Sequence, residues 1–138
     1  MIQNFKNHKR FSTPFHFITM PLIMLVIGVA VNLFIENQDI IHGLLICAFI
    51  LIGVAMLFAR FFALKVQDRA IRAEENLRYF SLTGKLLPKQ LRGSQIIALR
   101  FAPDEELIEL VDRILFDKLP SKEIKQAIVT WRADHHRI

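Results

Sequence analysis

Asp68, Arg69, Arg72, Glu74 and Glu75 crowd acids and bases into a short stretch of one predicted helix. Buried in a cleft with shifted ionisation, Asp68, Arg69, Arg72 and Glu75 could act on lipid headgroups. As a solvated ring of charge they would do no chemistry. Elsewhere reactive patterns are scarce. Asp104, Glu105, Glu106 and Glu109 sit at a helix start, where carboxylates answer the positive end of the helix more often than they serve as acid and base. His135 and His136 are adjacent, so on a helix they would point about 100° apart and grip one ion poorly. His16 and His42 lie near opposite ends of two apolar segments and cannot share a metal. Cys47, the only cysteine, excludes a disulfide or zinc knuckle within one chain and reads as a small packing residue. No phosphate-binding glycine loop, HExxH, CxxC or GxSxG is present. The expectation is a protein that is not an enzyme, with no cofactor and no metal.

The elements that carry these residues are set by hydrophobicity. Phe15 to Ile35 and Ile40 to Ala59 contain no Lys, Arg, Asp or Glu. Each is long enough, at ~20 residues, to cross a bilayer core of ~30 Å. Only Glu36-Asn37-Gln38-Asp39 lies between them, which predicts a transmembrane hairpin. The first segment is too long for a signal core and is expected to be retained. Thr13-Pro14 reads as a hydroxyl cap followed by proline at the first helical position. Pro21 removes the hydrogen bond to Phe17 and predicts a kink. Asn32 is expected to bond to the second span or to another copy of the chain. Lys6, Lys9 and Arg10 precede the first span, and Arg60, Lys65, Arg69 and Arg72 follow the second, while the intervening loop has no Lys or Arg. The positive-inside rule then places both termini in the cytoplasm of a bacterial inner membrane.

The second span does not stop at the lipid. Val54 to Ser81 contains no Gly or Pro. Leu45, Phe49, Ile52, Met56, Ala59, Ala63, Val66, Ala70, Ala73, Leu77 and Phe80 recur in alternating steps of four and three, a coiled-coil seam. Asp68–Arg72 and Glu74–Arg78 are acid-first i,i+4 pairs that support helix. The helix is therefore expected to run to about Phe80. Its alanines at 59, 63, 70 and 73 would let another backbone approach closely. Two occupants suit that seam: another chain, or this chain's own C-terminal helices folded back. Arg60, Lys65, Arg69 and Arg72 are expected at lipid headgroups. The basic balance of residues 60 to 100, nine Lys/Arg against three acids, would also suit RNA or a ribosome.

Gly84 is placed to end the long helix. Beyond a connector, Ser94 is expected to cap a short helix over 95–101. Pro103 opens the next helix, where Leu107, Leu110, Val111, Ile114 and Leu115 form one apolar face. Ser121 caps a last helix carrying Ile124, Ala127, Ile128 and Trp131. These predict an antiparallel helical hairpin, 103–117 and 121–132, with Trp131 anchoring a small core. Lys122, Lys125 and Arg132 resemble a DNA-reading helix only in outline, and residues 101 to 138 carry eight acids against six Lys/Arg. Duplex binding needs a positive face, so nucleic acid is not an expected partner. The predicted class is an all-α membrane protein, with an N-terminal arm (1–13), a transmembrane hairpin (14–64), a cytoplasmic helical extension (65–82) and a C-terminal domain (83–138).

Asn7-His8-Lys9-Arg10, Arg60-Phe61, the run Gln67 to Asn76, Gln95 to Phe101, and Trp131-Arg132-Ala133-Asp134 with His136-Arg137 carry a further likeness. With them the chain resembles a family of small uncharacterised bacterial membrane proteins that have two N-terminal spans and a short helical C-terminal domain. The resemblance implies that architecture and supplies no activity. It marks Asp68, Arg69, Arg72, Glu74 and Glu75 for testing. The functional expectation is an accessory or scaffold protein that docks a membrane partner through the long helix and its helical head. The alternatives are a homo-oligomeric scaffold or pore, and a small lipid-handling enzyme at the cytoplasmic surface.

Overall fold

The computed structural model of the chain describes Asn4, Phe5 and residues 12–134. All regular structure among the described residues is helical. A π-helical turn, Pro14–Thr19, leads into α1 (Met20–Asn37), followed by α2 (Ile40–Thr83), α3 (Gly93–Leu99), α4 (Asp104–Asp117) and α5 (Ser121–Ala127). The chain divides between Leu64 and Lys65 into two compact units.

In the first unit, Thr13 has helical backbone angles and makes no side-chain cap, contrary to expectation. Pro21 has no N–H for the carbonyl of Phe17. The fault is taken up by the wider π turn just ahead of it, in which the Thr19 hydroxyl donates to the Pro14 carbonyl at 3.0 Å. The expected break at Pro21 thus takes the form of π spacing. Asn32 is not bonded to α2. Its Nδ2 donates to Glu36 Oε1 at 2.9 Å, one turn along its own helix. α1 ends with Gln38 in the left-handed region (φ 49°), its N–H on the Phe34 carbonyl at 2.8 Å. Asp39 then caps α2, accepting the His42 N–H at 2.8 Å.

Pro14–Asn37 and the N-terminal part of α2 are long and apolar enough to cross a membrane. Of their large apolar side chains none is buried, and Ala30 is the one buried residue of α1. Phe17, Met24, Leu25, Ile41 and Leu51 are each more than 60% exposed. A helix in the core of a water-soluble protein would have covered such residues. A surface this apolar calls for lipid or another protein.

The second unit has a genuine core. Phe101, Leu99, Leu107, Ile114, Ile124 and Val111 are almost completely buried, joined by Leu110, Ile128, Tyr79, Leu87 and Leu91. Trp131 is half-buried at the edge of this core, its ring 4.7 Å from that of Phe101. Phe101, not Trp131, is therefore the central aromatic. α2 stops at Gly84 (φ 69°), whose N–H meets the Phe80 carbonyl at 2.8 Å. Asn76 then accepts the Leu87 N–H at 2.9 Å and holds the connector to α2. Gln95 Oε1 accepts the Arg92 N–H at 2.7 Å, and its amide donates to the Leu119 carbonyl at 2.8 Å. The short helix thus begins at Gly93, ahead of its expected start, and ends at Leu99.

The last helix is shorter than expected. It ends at Ala127, Ile128 takes extended backbone angles, and the chain bends at Val129 and Thr130. Ile128-Val129-Thr130 is a β-branched run that resists helix. The Val129 and Thr130 N–H groups go instead to the two carboxylate oxygens of Glu106, at 3.0 and 2.8 Å. The Arg132 N–H reaches the Phe101 carbonyl at 2.8 Å.

The largest departure concerns the alanine seam. Ala59, Ala63, Val66, Ala70, Ala73 and Leu77 are all exposed. The C-terminal helices cover a neighbouring face of α2 instead, where Ile71, Glu75 and Tyr79 are buried. That face is less apolar than the seam, but it carries Arg78 and Asn76, whose hydrogen bonds tie the head down.

Candidate functional site

The residues that could do chemistry gather around the covered face of α2. Ile71 and Tyr79 draw the head against this face, and Glu75 between them is carried out of water with only 6% of its surface left. A carboxylate so placed needs a cation. Arg78, one turn on, supplies Nη1 to Glu75 Oε2 at 2.9 Å. Each of its other nitrogens is also used: Nε pairs with Asp104 Oδ1 at 2.5 Å and Nη2 donates to the Ala102 carbonyl at 2.8 Å. Arg132 Nη1 stands 3.9 Å from the other Glu75 oxygen. Burial pushes the Glu75 carboxyl above the ordinary carboxylate range, and the guanidinium groups of Arg78 and Arg132 pull against that rise.

Arg100 is the second buried ion. It ends the apolar run of α3, lies over the Phe101 ring at 4.2 Å, and pairs with Asp134 Oδ2 at 2.8 Å. Its Nη1 donates to the Ile97 carbonyl at 3.0 Å. Glu74, Glu75, Arg100, Arg132 and Asp134, with Gln67, line a cleft of about 280 Å³. Its buried charges are paired with one another. The arrangement works as an ion-pair clamp that joins α2, α3 and the non-helical segment after α5.

A second cleft, about 420 Å³, lies along α2 toward Lys65. Lys65, Asp68, Arg69 and Arg72 line one side, and Gly93, Ser94 and Ile97 the other. Gly93 matters here for space. A Cβ on it would stand 3.3 Å from Arg72 Nη1 and 3.4 Å from its Cδ.

Two expected ion pairs are not made as predicted. Arg78 turns to Glu75, on the covered face of α2, and to Asp104, at the start of α4, rather than to Glu74. Arg72 Nε donates to the Asp68 backbone carbonyl at 3.3 Å rather than to its carboxylate. Of the residues expected at headgroups, Lys65, Arg69 and Arg72 share the second cleft, whereas Arg60 lies over the Phe15 ring at 5.7 Å. The core residues Leu107, Leu110, Val111, Ile114, Ile124 and Ile128 are all buried. Among the described residues no group of His, Cys, Asp and Glu could hold a metal. His135 and His136 lie outside them.

Sequence reasoning assigned no ion pair to Arg100, Arg132, Asp104 or Asp134. One signal was available. Arg100 follows Ile96-Ile97-Ala98-Leu99 and precedes Phe101, and a cation in so apolar a run requires a carboxylate from elsewhere in the fold.

No curated protein and no solved structure matches the chain. One family model matches it from residue 1 to residue 138, and the chain therefore belongs to DUF6526, a family of unknown function.

Proposed function

We propose that this chain is a two-span bacterial inner-membrane protein with both termini in the cytoplasm, acting as a non-enzymatic accessory that docks another membrane protein along α2. The exposed seam carries this reading. Ala63, Val66, Ala70, Ala73 and Leu77 stay open while the head spends its apolar surface on the adjacent face. The small residues allow close helix approach, and Val66 and Leu77, each 68% exposed, supply apolar area to bury. The two-residue connection at Gln38-Asp39 supports a hairpin, as do the approaches of Phe34 to Gly43 and Ile23 to Gly53. The flanking Lys and Arg residues support the orientation.

Cross-linking tests the docking. Single cysteines at Ala63→Cys and Ala70→Cys, on a Cys47→Ser background, are compared with Glu74→Cys off the seam. Adducts to one membrane protein from the seam positions alone support the accessory role. Self-adducts there favour the homo-oligomeric scaffold or pore instead. No adduct from either seam position refutes both.

A second reading draws on Glu75, a buried carboxyl with raised proton affinity beside a cleft, which is how a lipid-handling site would hold a general base. The pairing of Glu75 with Arg78 favours the clamp over catalysis. Turnover of lipid by the purified chain that Glu75→Gln abolishes, with the fold intact, would reverse that preference.

A further inference from the structure

Arg69, Arg72, Arg78, Arg100 and Arg132 fall into two groups by what they bond. Arg78, Arg100 and Arg132 each reach a carboxylate. Arg69 and Arg72 reach none among the described residues; Arg72 has only the Asp68 carbonyl. Both line the second cleft, where Lys65 joins them and Asp68 is the only acid. The lining thus carries three cations against one anion. The opposite wall is Gly93, Ser94 and Ile97: one residue without a side chain, one hydroxyl and one apolar contact. The absent side chain at Gly93 leaves room for Arg72 against α3: a Cβ would stand 3.3 Å from its Nη1 and 3.4 Å from its Cδ, tight for a methyl and too close for a larger, branched side chain.

We propose that Arg69, Arg72 and the Ser94 hydroxyl, with Gly93 as the floor, form a binding site for a single phosphate group carried on the headgroup of an anionic lipid. A guanidinium without a carboxylate offers paired N–H donors that match phosphate oxygens, and a hydroxyl adds a neutral donor. The source of the phosphate follows from position along α2. Lys65, Arg69 and Arg72 follow Ala59, the end of the uncharged segment, by about 9 to 20 Å of helix rise, on the side where Arg60 already marks the lipid boundary. The lipid source rests on the proposed membrane reading; the phosphate chemistry does not.

The test must separate a built site from a diffuse basic collar. A collar gives roughly fivefold in anionic-lipid affinity per cation near the surface, wherever that cation stands. A site depends on geometry. The full chain is placed in phosphatidylcholine nanodiscs, and retention of added phosphatidylglycerol is read by native mass spectrometry. Far-UV circular dichroism confirms the fold of each variant. Arg69→Gln with Arg72→Gln should lower retention by more than the roughly 25-fold that two collar cations account for. Gly93→Val leaves the charge unchanged, yet it should lower retention comparably by driving Arg72 out of the cleft. Lys89→Gln, outside the lining, should change it little.

If Gly93→Val retains lipid like the wild type, or Lys89→Gln lowers retention by the roughly fivefold of a collar cation, there is no built site. Inorganic phosphate is the second arm. Competition by millimolar phosphate that Gly93→Val abolishes would identify a free phosphate ligand and overturn the lipid assignment. Failure of the chain to enter bilayers at all would sink the membrane reading, whereas the same phosphate titration in detergent would still report on the site.

Discussion

Arg78→Ala is the most informative single change in the head. It removes the near partner of Glu75, the exposed pair with Asp104, and the donor to the Ala102 carbonyl. The Asp104 contact adds little, because that carboxylate is mostly in water. Glu75 sets the magnitude. It stays buried, with Arg132 at 3.9 Å as its remaining cation. Stranding a buried charge in this way costs about 3–5 kcal/mol. The head has on the order of 70 residues and, at about 0.05–0.15 kcal/mol each, a total stability of roughly 4–10 kcal/mol. Arg78→Ala should therefore remove a large share of it. The assay is urea unfolding of the full chain in detergent micelles at pH 7, followed by Trp131 fluorescence. Adding Glu75→Gln to Arg78→Ala should restore part of the loss, since the stranded charge is then gone. A single-variant loss below about 1 kcal/mol, the range of surface pairs, would refute the clamp. So would a double variant weaker than Arg78→Ala alone.

Three further outcomes follow from the same geometry. The proton affinity of Glu75 is higher folded than unfolded, so its contribution to stability is fully present below the unfolded pKa and lost as pH rises through the folded one. Unfolding midpoints of the wild type should accordingly fall as pH rises from near 4.5, and Glu75→Gln should flatten that slope. Glu106→Ala removes the acceptor for two N–H groups, and hydrogen exchange at Val129 and Thr130 should accelerate by at least about tenfold while the Ile114 amide stays protected. Phe101→Ala empties the centre of the core and should cost about 3–5 kcal/mol in the urea assay.

Much of the helical plan was legible in the sequence because it depends on local patterns. Uncharged runs, the absence of Gly and Pro from Val54 to Ser81, and the stops at Gly84 and Pro120 mark the long helices. The i, i+3, i+4 face from Leu107 to Ile114 marks α4. The choice of face on α2 was not legible. Hydrophobicity favours the alanine seam, but the head settles on Ile71, Glu75 and Tyr79, where polar partners are available. Those partners are distant in sequence: Arg78 meets Asp104 across 26 residues. Helical spacing instead points to the i,i+4 pair with Glu74. The end of α5 was missed for the same reason. The periodicity of Ile124, Ile128 and Trp131 continues a helix, whereas Glu106, on another element, captures the amides that would have extended it.

The proposed membrane hairpin underlies the whole functional reading, and its orientation is open to direct measurement. Single cysteines at Gln38→Cys and Leu82→Cys, on a Cys47→Ser background, are exposed in intact spheroplasts to a membrane-impermeant maleimide. Labelling at residue 38 without lysis, and at residue 82 only after lysis, is the predicted result. The reverse pattern, or equal labelling of both before lysis, would contradict it.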